Sequence, residues 1–258
     1  MSYLTKQRTF ETFLNLAKNE STRRNQKSVL GHFEKFCLKQ FDRSMETVIE
    51  DLILVSKTES QKIEDLFQEY ISNGFKETNS ARTIRTHYSI LTSYLKYRKI
   101  PIDKEDLRTV LSFPRISYDE LVPMNREIIR KFIDFANTTE KAKLLVQASS
   151  GLRNQEVCGL RKRDIQTDTT RWAIHVSAKL GKGSKARITF ISNETRRFLK
   201  PIIDKLEQDD LIFGSSKTSL YHSKQYELKK FDRLREKVGL TEKYDSSNKY
   251  KYSTHSFR

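Results

Sequence analysis

The sequence is poor in the residues that build turn-rich, disulfide-bonded or membrane-spanning proteins. Its 258 residues include only 8 Gly, 4 Pro and 2 Cys, which argues against an all-β fold with many turns and favours helices. The two cysteines lie far apart in apolar helical patterns, so we expect reduced core thiols. No apolar stretch is long enough to cross a bilayer, and the N-terminus lacks the apolar segment of a signal peptide. These absences favour a cytoplasmic protein with no membrane partner.

The motifs of metal-dependent and nucleotide-dependent enzymes are also missing. The five histidines show no ligand spacing with one another or with a cysteine, and neither HExxH nor CxxC occurs. The segment GKGS at 181–184 lacks the leading glycine and the following helix of a P-loop, and GxGxxG is absent. We therefore expect no metal and no cofactor.

Positive charge is what the chain has in excess. Its 49 Lys and Arg residues against 33 Asp and Glu residues give a formal net charge of +16, and most of the excess lies after residue 112. Polyanions are the partners that such a charge attracts, and double-stranded DNA is the first of them. Surface lysines that merely keep the protein soluble would give the same excess, so charge alone leaves both interpretations open.

Hydrophobic periodicity divides the chain into two regions. Apolar residues recur at helical spacing through 1–112, with the strongest helix at 80–98. Pro114 and Pro123 lie in a stretch with little periodicity. We therefore predict a helical domain over 1–112, a linker over 113–123 and a second domain over 124–258.

The second region combines helices with one small sheet. Alternating apolar residues at 172–176 and at 188–190 predict a β-hairpin, whose tip at 179–185 is basic and contains glycine. Helical spacing precedes and follows this hairpin. The expected fold class is therefore mainly α, with a mixed α+β second domain that carries a small antiparallel sheet.

Three groups of cations stand in positions that suit phosphate chemistry. Arg153 opens a helix after Gly151, and Glu156 lies one turn further on; the planar guanidinium fits the oxygens of a phosphodiester. A lysine at the hairpin tip could protonate a leaving alkoxide. His255 and Arg258 are spaced to share one helix face. Taken singly, these groups are also consistent with a surface ion pair, a solvated turn and a frayed tail.

The order of these groups resembles that of the tyrosine recombinases, the phage-integrase and Xer-like family. The segment SSGLRNQEVCGLRKRDI (149–165) is similar to the family's first box, GKGSKAR (181–187) to its β-hairpin, and STHSFR (253–258) to its second box. The HSFR ending and the hairpin that runs into ITFIS are particularly similar to archaeal integrases. The resemblance covers the chain from about residue 124 to its end.

The resemblance implies a role for each matched residue. Arg153 and Arg258 would hold the scissile phosphate, His255 would assist by hydrogen bonding and proton handling, and Lys182 would be the general acid, with Lys179 as the alternative if the turn is registered differently. Glu156 would support Arg153. The family's reaction joins DNA to the protein through a 3′-phosphotyrosine and needs no cofactor. Further DNA contacts are expected from basic residues of the helix at 80–98 and of the hairpin: Arg82, Arg85, Lys179, Lys185 and Arg187.

The resemblance extends more weakly to residues 1–112, which would form the family's helical core-binding domain and clamp DNA. Self-association on DNA is expected of the full-length protein.

The sequence departs from the family pattern in one respect. In the family, a third box and the tyrosine nucleophile follow the second box, whereas these 258 residues stop at Arg258. We therefore assign no nucleophile and expect no cleavage by this chain, whether the interruption is natural or engineered. The alternatives are a non-cleaving DNA-binding or regulatory fragment, and a helical nucleic-acid-binding protein unrelated to recombinases.

Overall fold

The computed structural model describes residues 8–55, 61–76, 80–116, 118–120, 122–180, 185–214, 219–245 and 248–257. The chain divides into two compact units, Met1–Ser117 and Tyr118–Arg258. The predicted linker, 113–123, spans the point of division. The predicted fold class is confirmed: both units are mainly helical, and the second carries a small antiparallel sheet.

The first unit is built of helices. They are α1 (Phe10–Leu14), α2 (Glu20–Phe41), α3 (Met45–Val55), α4 (Gln61–Lys76), α5 (Ala81–Tyr97) and α6 (Lys104–Val110). Their apolar faces form one core, in which Phe33, Phe67 and Tyr94 have no exposed surface. Burial on this scale is the main driving force for folding.

Helix α5 is the helix that the sequence predicts at 80–98. Ser80 caps its first turn by accepting a hydrogen bond from the Thr83 N–H at 3.2 Å. Leu91 and Leu95 are fully buried on its inner face, while Arg82 and Arg85 are exposed. The Arg85 guanidinium lies 5.0 Å from the centre of the Phe113 ring. The helix therefore presents basic residues to solvent, as the sequence predicts.

The second unit places helices around a three-stranded sheet. The helices are α7 (Arg126–Phe135), α8 (Thr138–Ser150), α9 (Asn154–Cys158), α10 (Asn193–Ile203) and α11 (Leu220–Val238), with a 3₁₀ turn at Lys162–Asp164. The strands are β1 (Ile165–Gln166), β2 (Ala173–Val176) and β3 (Arg187–Phe190), in the order β1-β2-β3 and antiparallel throughout. The hairpin predicted from the sequence is thus β2–β3, and β1 adds a short edge strand that the sequence did not indicate.

The register of the hairpin decides which residues of β3 face inward. Val176 lies opposite Arg187, and Ile174 lies opposite Thr189. Directly opposed residues point to the same face of an antiparallel sheet, and Ile174 and Val176 belong to the buried core. Arg187 and Thr189 therefore face inward, whereas the apolar Ile188 and Phe190 are exposed.

Polar contacts join the inner face of β3 to the end of α8. The Thr189 hydroxyl donates a hydrogen bond to the backbone carbonyl of Ser150, at 2.8 Å. Deeper in the unit, the Lys143 ammonium of α8 donates to Glu227 of α11 at 2.8 Å, and both side chains are buried. A buried charge needs a partner, so these contacts fix α8 against its neighbours.

Both cysteines are buried free thiols, as predicted, and burial raises the pKa of Cys37 to about 12.

Candidate functional site

Arg153 lies at the junction of α8 and α9. Gly151 ends α8 in the left-handed region, at φ 66°, a conformation that glycine adopts without steric cost. Two residues later the backbone of Arg153 is extended and forms the N-cap of α9. This turn places the Arg153 side chain at the surface, where it is 30% exposed.

Glu156 is the anchor of this junction. Its carboxylate accepts the backbone N–H of Arg153 at 2.7 Å and the Nη1 group of the same residue at 3.1 Å. The Glu156 side chain is only 2% exposed. The two residues therefore do not form a solvated surface pair, the alternative that their spacing alone leaves open.

Arg187 of β3 is the second cation on the same carboxylate. Its Nη1 donates to Oε1 of Glu156 at 2.9 Å, and its Nη2 donates to Oε2 at 2.7 Å. Two parallel N–H···O bonds of this kind are the strongest geometry for an arginine–carboxylate pair. One buried carboxylate thus ties the start of α9 to the strand that follows the hairpin tip.

The charges of this cluster shift one another's proton affinity. Burial alone raises the pKa of Glu156, but the hydrogen bonds from Arg187 and from the backbone of Arg153 outweigh it and hold the pKa below its usual value. The hydrogen bond to Glu156 likewise raises the pKa of Arg187. Two guanidinium groups face one carboxylate, so the cluster keeps one positive charge that an anion can neutralise.

The basic tip of the hairpin is described only at its two ends. Lys179 and Lys185 are exposed, whereas Lys182, the predicted general acid, lies outside the described residues. The exposed lysines border the tip that leads into β3, the strand that carries Arg187.

Residues 254–257 of the second box form a turn. Its backbone closes by a hydrogen bond from the Ser256 N–H to the Ser253 carbonyl at 2.9 Å. Phe257 is buried edge-on against the stacked rings of Phe132 and Phe231, whose centres lie 5.4 and 5.7 Å from its own. The ring anchors the turn, while His255 is exposed.

The structure places the predicted site residues in separate groups. It brings Arg153, Glu156 and Arg187 together, and no hydrogen bond or ion pair within the described residues joins His255 to them. Arg258 lies outside the described residues. Thr254, next to His255, lines a small cavity together with Leu144 and Gln147 of α8, so the turn packs on the helix that leads to Arg153.

The contact of Arg187 with Glu156 is the feature that sequence reasoning missed. Arg187 was expected to contact DNA, with no role toward the carboxylate. The sequence holds no signal for it, because the alternation of the apolar Ile188 and Phe190 would turn Arg187 outward; only the register of the folded hairpin, in which Arg187 lies opposite the buried Val176, shows that it faces inward. An arginine that faces inward needs an anionic partner, and Glu156 is that partner.

Neither a metal-binding cluster nor a membrane-spanning helix occurs among the residues that the structure describes. Within the described residues no group of three or more His, Cys, Asp or Glu side chains could hold a metal ion. Among those same residues, no helix combines the length and the apolar character that crossing a membrane requires.

The cluster predicts how stability depends on pH. Replacing Glu156 by Gln removes a carboxylate whose pKa is lowered by folding. Such a group contributes stability above its unfolded pKa of about 4.3 and loses that contribution as the pH falls through its folded pKa. We expect E156Q to lower the free energy of unfolding by about 2 kcal/mol near neutral pH, and by less at the acid end. Urea denaturation across this pH range measures the difference; a penalty that does not shrink with acid would contradict it.

The model described as the phage integrase family matches residues 123–258, more than half of the chain. No curated protein sequence matches the chain.

Solved structures share its fold at low sequence identity. The Tn1549 transposon integrase in complex with transposon right end DNA is 15% identical, with a TM-score of 0.57 over 89% of this chain and 83% of that one. The XerH site-specific recombinase bound to its palindromic difH substrate is 18% identical, with a TM-score of 0.53 over 75% of this chain and 56% of that one. The family match, which contains the whole of the Arg153–Glu156–Arg187 cluster, gives the assignment: the chain belongs to the phage integrase family.

Proposed function

We propose that this protein acts in site-specific DNA recombination and that Arg153 binds a phosphate of the DNA backbone. The observation that carries the proposal is the unbalanced charge of the cluster, in which two guanidinium groups share one buried carboxylate. A guanidinium held at a partly exposed position, with its carboxylate partner already shared, suits the non-bridging oxygens of a phosphodiester. The net charge of +16 supports a polyanionic partner.

The other predicted site residues enter the proposed mechanism with separate roles. Arg258 would hold the phosphate from a second side and, together with Arg153, neutralise charge in the pentavalent transition state. Lys182 would protonate the leaving 5′ oxygen, with Lys179 as the alternative, and His255 would assist by hydrogen bonding. The attack of a tyrosine on phosphorus would give the 3′-phosphotyrosine intermediate. This reaction conserves the energy of the phosphodiester, so it calls for no cofactor.

The basic residues outside the cluster would position the duplex. Arg82 and Arg85 of the first unit and Lys179 and Lys185 of the hairpin are all exposed, which suits contacts with backbone phosphates. In this proposal residues 1–112 are the core-binding domain, 113–123 the linker and 124–258 the catalytic domain. Self-association on DNA, like a cytoplasmic location, stays a prediction.

No tyrosine near the end of the sequence is assigned as the nucleophile. The hydroxyl of Tyr244 accepts the backbone N–H of Val122 at 3.1 Å, and the guanidinium of Arg235 covers the ring of Tyr250 at 3.4 Å. Tyr252 packs against a hydrophobic core. These contacts favour structural roles, and they support the second candidate function, in which residues 1–258 by themselves bind DNA without cutting it.

DNA binding should depend steeply on salt. Each phosphate contact releases counterions, so the logarithm of the association constant should fall linearly with the logarithm of the salt concentration, by about 0.9 per phosphate contact. The variant R153Q should bind more weakly and should lower this slope by about 0.9. Fluorescence anisotropy with a short duplex over a salt series measures both quantities.

A matched control separates a phosphate contact from a general loss of charge. Lys200 of α10 forms an exposed ion pair with Asp204, which follows that helix, so K200Q removes one positive charge from the same unit at a residue that does not belong to the cluster. R153Q must lower both the affinity and the salt slope by more than K200Q does. Equal effects of the two variants would remove Arg153 from the proposed site.

Residues 1–258 should form no covalent intermediate. A recombinase needs a nucleophile in line with the leaving oxygen, and the tyrosines of 244–252 make the structural contacts described above. Incubation with a nicked suicide duplex should therefore shift the DNA on a native gel and leave no protein–DNA adduct on a denaturing gel. An adduct that maps to any tyrosine between 221 and 252 would show that the nucleophile is present.

A further inference from the structure

The two arginines share Glu156 unequally. Arg187 donates two hydrogen bonds, one to each carboxylate oxygen, at 2.9 and 2.7 Å. Within the described residues Arg153 donates a single guanidinium bond to the same group, at 3.1 Å. The carboxylate is therefore neutralised mainly by Arg187, and most of the Arg153 donors do not point at it.

The backbone fixes this division of roles. Arg187 faces inward because its strand partner Val176 is buried. Glu156, in the first turn of α9, accepts its hydrogen bonds. The Glu156 carboxylate also accepts the backbone N–H of Arg153. This bond holds the start of α9 without the Arg153 side chain. The side chain that is structurally dispensable is the one that the proposed function assigns to DNA.

We propose that Arg187 is a positioning residue rather than a DNA contact: it neutralises Glu156, and so keeps the charge of Arg153 available for a phosphate. This inference rests on the proposed function, and it changes the role that the sequence predicts for Arg187. Without Arg187, Arg153 would be the one cation paired with the buried carboxylate among the described residues, and the carboxylate would compete with the phosphate for the same guanidinium. A buried carboxylate binds its remaining partner strongly, because water does not screen it.

Three variants separate the two roles of Arg187. R187Q leaves Glu156 charged and should lower affinity for a short duplex about tenfold at pH near 8, as expected for the loss of charged hydrogen bonds. R187K keeps the charge but loses the paired geometry, and should bind within about threefold of the unsubstituted chain. The double variant E156Q/R187Q removes the competing carboxylate as well, and should recover most of the affinity that R187Q loses.

The pH dependence of DNA affinity gives a second test of the positioning role. If Arg187 served only the stability of the fold, its replacement would not change this pH dependence. In R187Q the pKa of Glu156 should rise, because burial is no longer outweighed by the paired hydrogen bonds. Acid then protonates Glu156 and releases Arg153. The ratio of affinities between the unsubstituted chain and R187Q should shrink from about tenfold near pH 8 to about threefold or less near pH 5. Taking the ratio of affinities cancels any effect of histidine protonation on DNA binding, because both proteins contain the same histidines.

A direct contact between Arg187 and DNA would give different results. If Arg187 contacts DNA, the double variant stays as weak as R187Q, and the affinity ratio does not change with pH. These results would overturn the inference. Should R187Q fail to fold, as judged by circular dichroism, R187K and E156Q/R187Q carry the same test: the inference requires both variants to bind, and weak binding by either one overturns it.

An experiment without DNA separates this inference from the proposed function. Carbon-13 NMR of the Glu156 carboxyl should show a higher pKa in R187Q than in the unsubstituted chain. If this shift is found but the unsubstituted chain shows no salt-dependent binding of DNA, the proposed function fails while the pairing stands. If DNA binds as proposed but the pKa does not rise, the positioning role of Arg187 fails alone.

Discussion

The site is organised around the negative charge of one buried carboxylate, because that charge requires cations and hydrogen-bond donors beside it. Glu156 is only 2% exposed, and an ionised carboxyl at such a position is stable only when cations and hydrogen-bond donors surround it. The chain supplies a backbone N–H and a guanidinium from Arg153, and a paired guanidinium from Arg187. These two residues lie 34 positions apart in the sequence, so the neutralisation of Glu156 also joins a helix start to a hairpin.

The polarity of β3 follows from the same constraint. Its inner face carries Arg187 and Thr189, which bind Glu156 and the end of α8, while Ile188 and Phe190 are exposed. An ordinary half-buried strand would place its apolar residues inward. Here the strand gives up the burial of two large side chains and gains contacts that fix the N-terminus of α9. Such a departure from simple patterning is typical of a functional site.

Much of this arrangement could be predicted from the sequence. The Gly151 break, the hairpin between 172 and 190 and the helix at 80–98 depend on local periodicity and turn chemistry, which sequence reports directly. The pairing of Arg153 with Glu156 could be read from their spacing. The role of Arg187 could not, because alternation locates a strand without showing which face is buried. The turn at 254–257 could not be predicted either, since it depends on the packing of Phe257 against α7 and α11, two helices that are far apart in the sequence.

The most direct test of the account is a crystal structure of residues 1–258 bound to a short DNA duplex. The account predicts a guanidinium nitrogen of Arg153 at about 3 Å from a phosphate oxygen, with both hydrogen bonds from Arg187 to Glu156 intact. It would be contradicted by a complex in which Arg187 leaves Glu156 to bind the DNA and Arg153 alone neutralises the carboxylate.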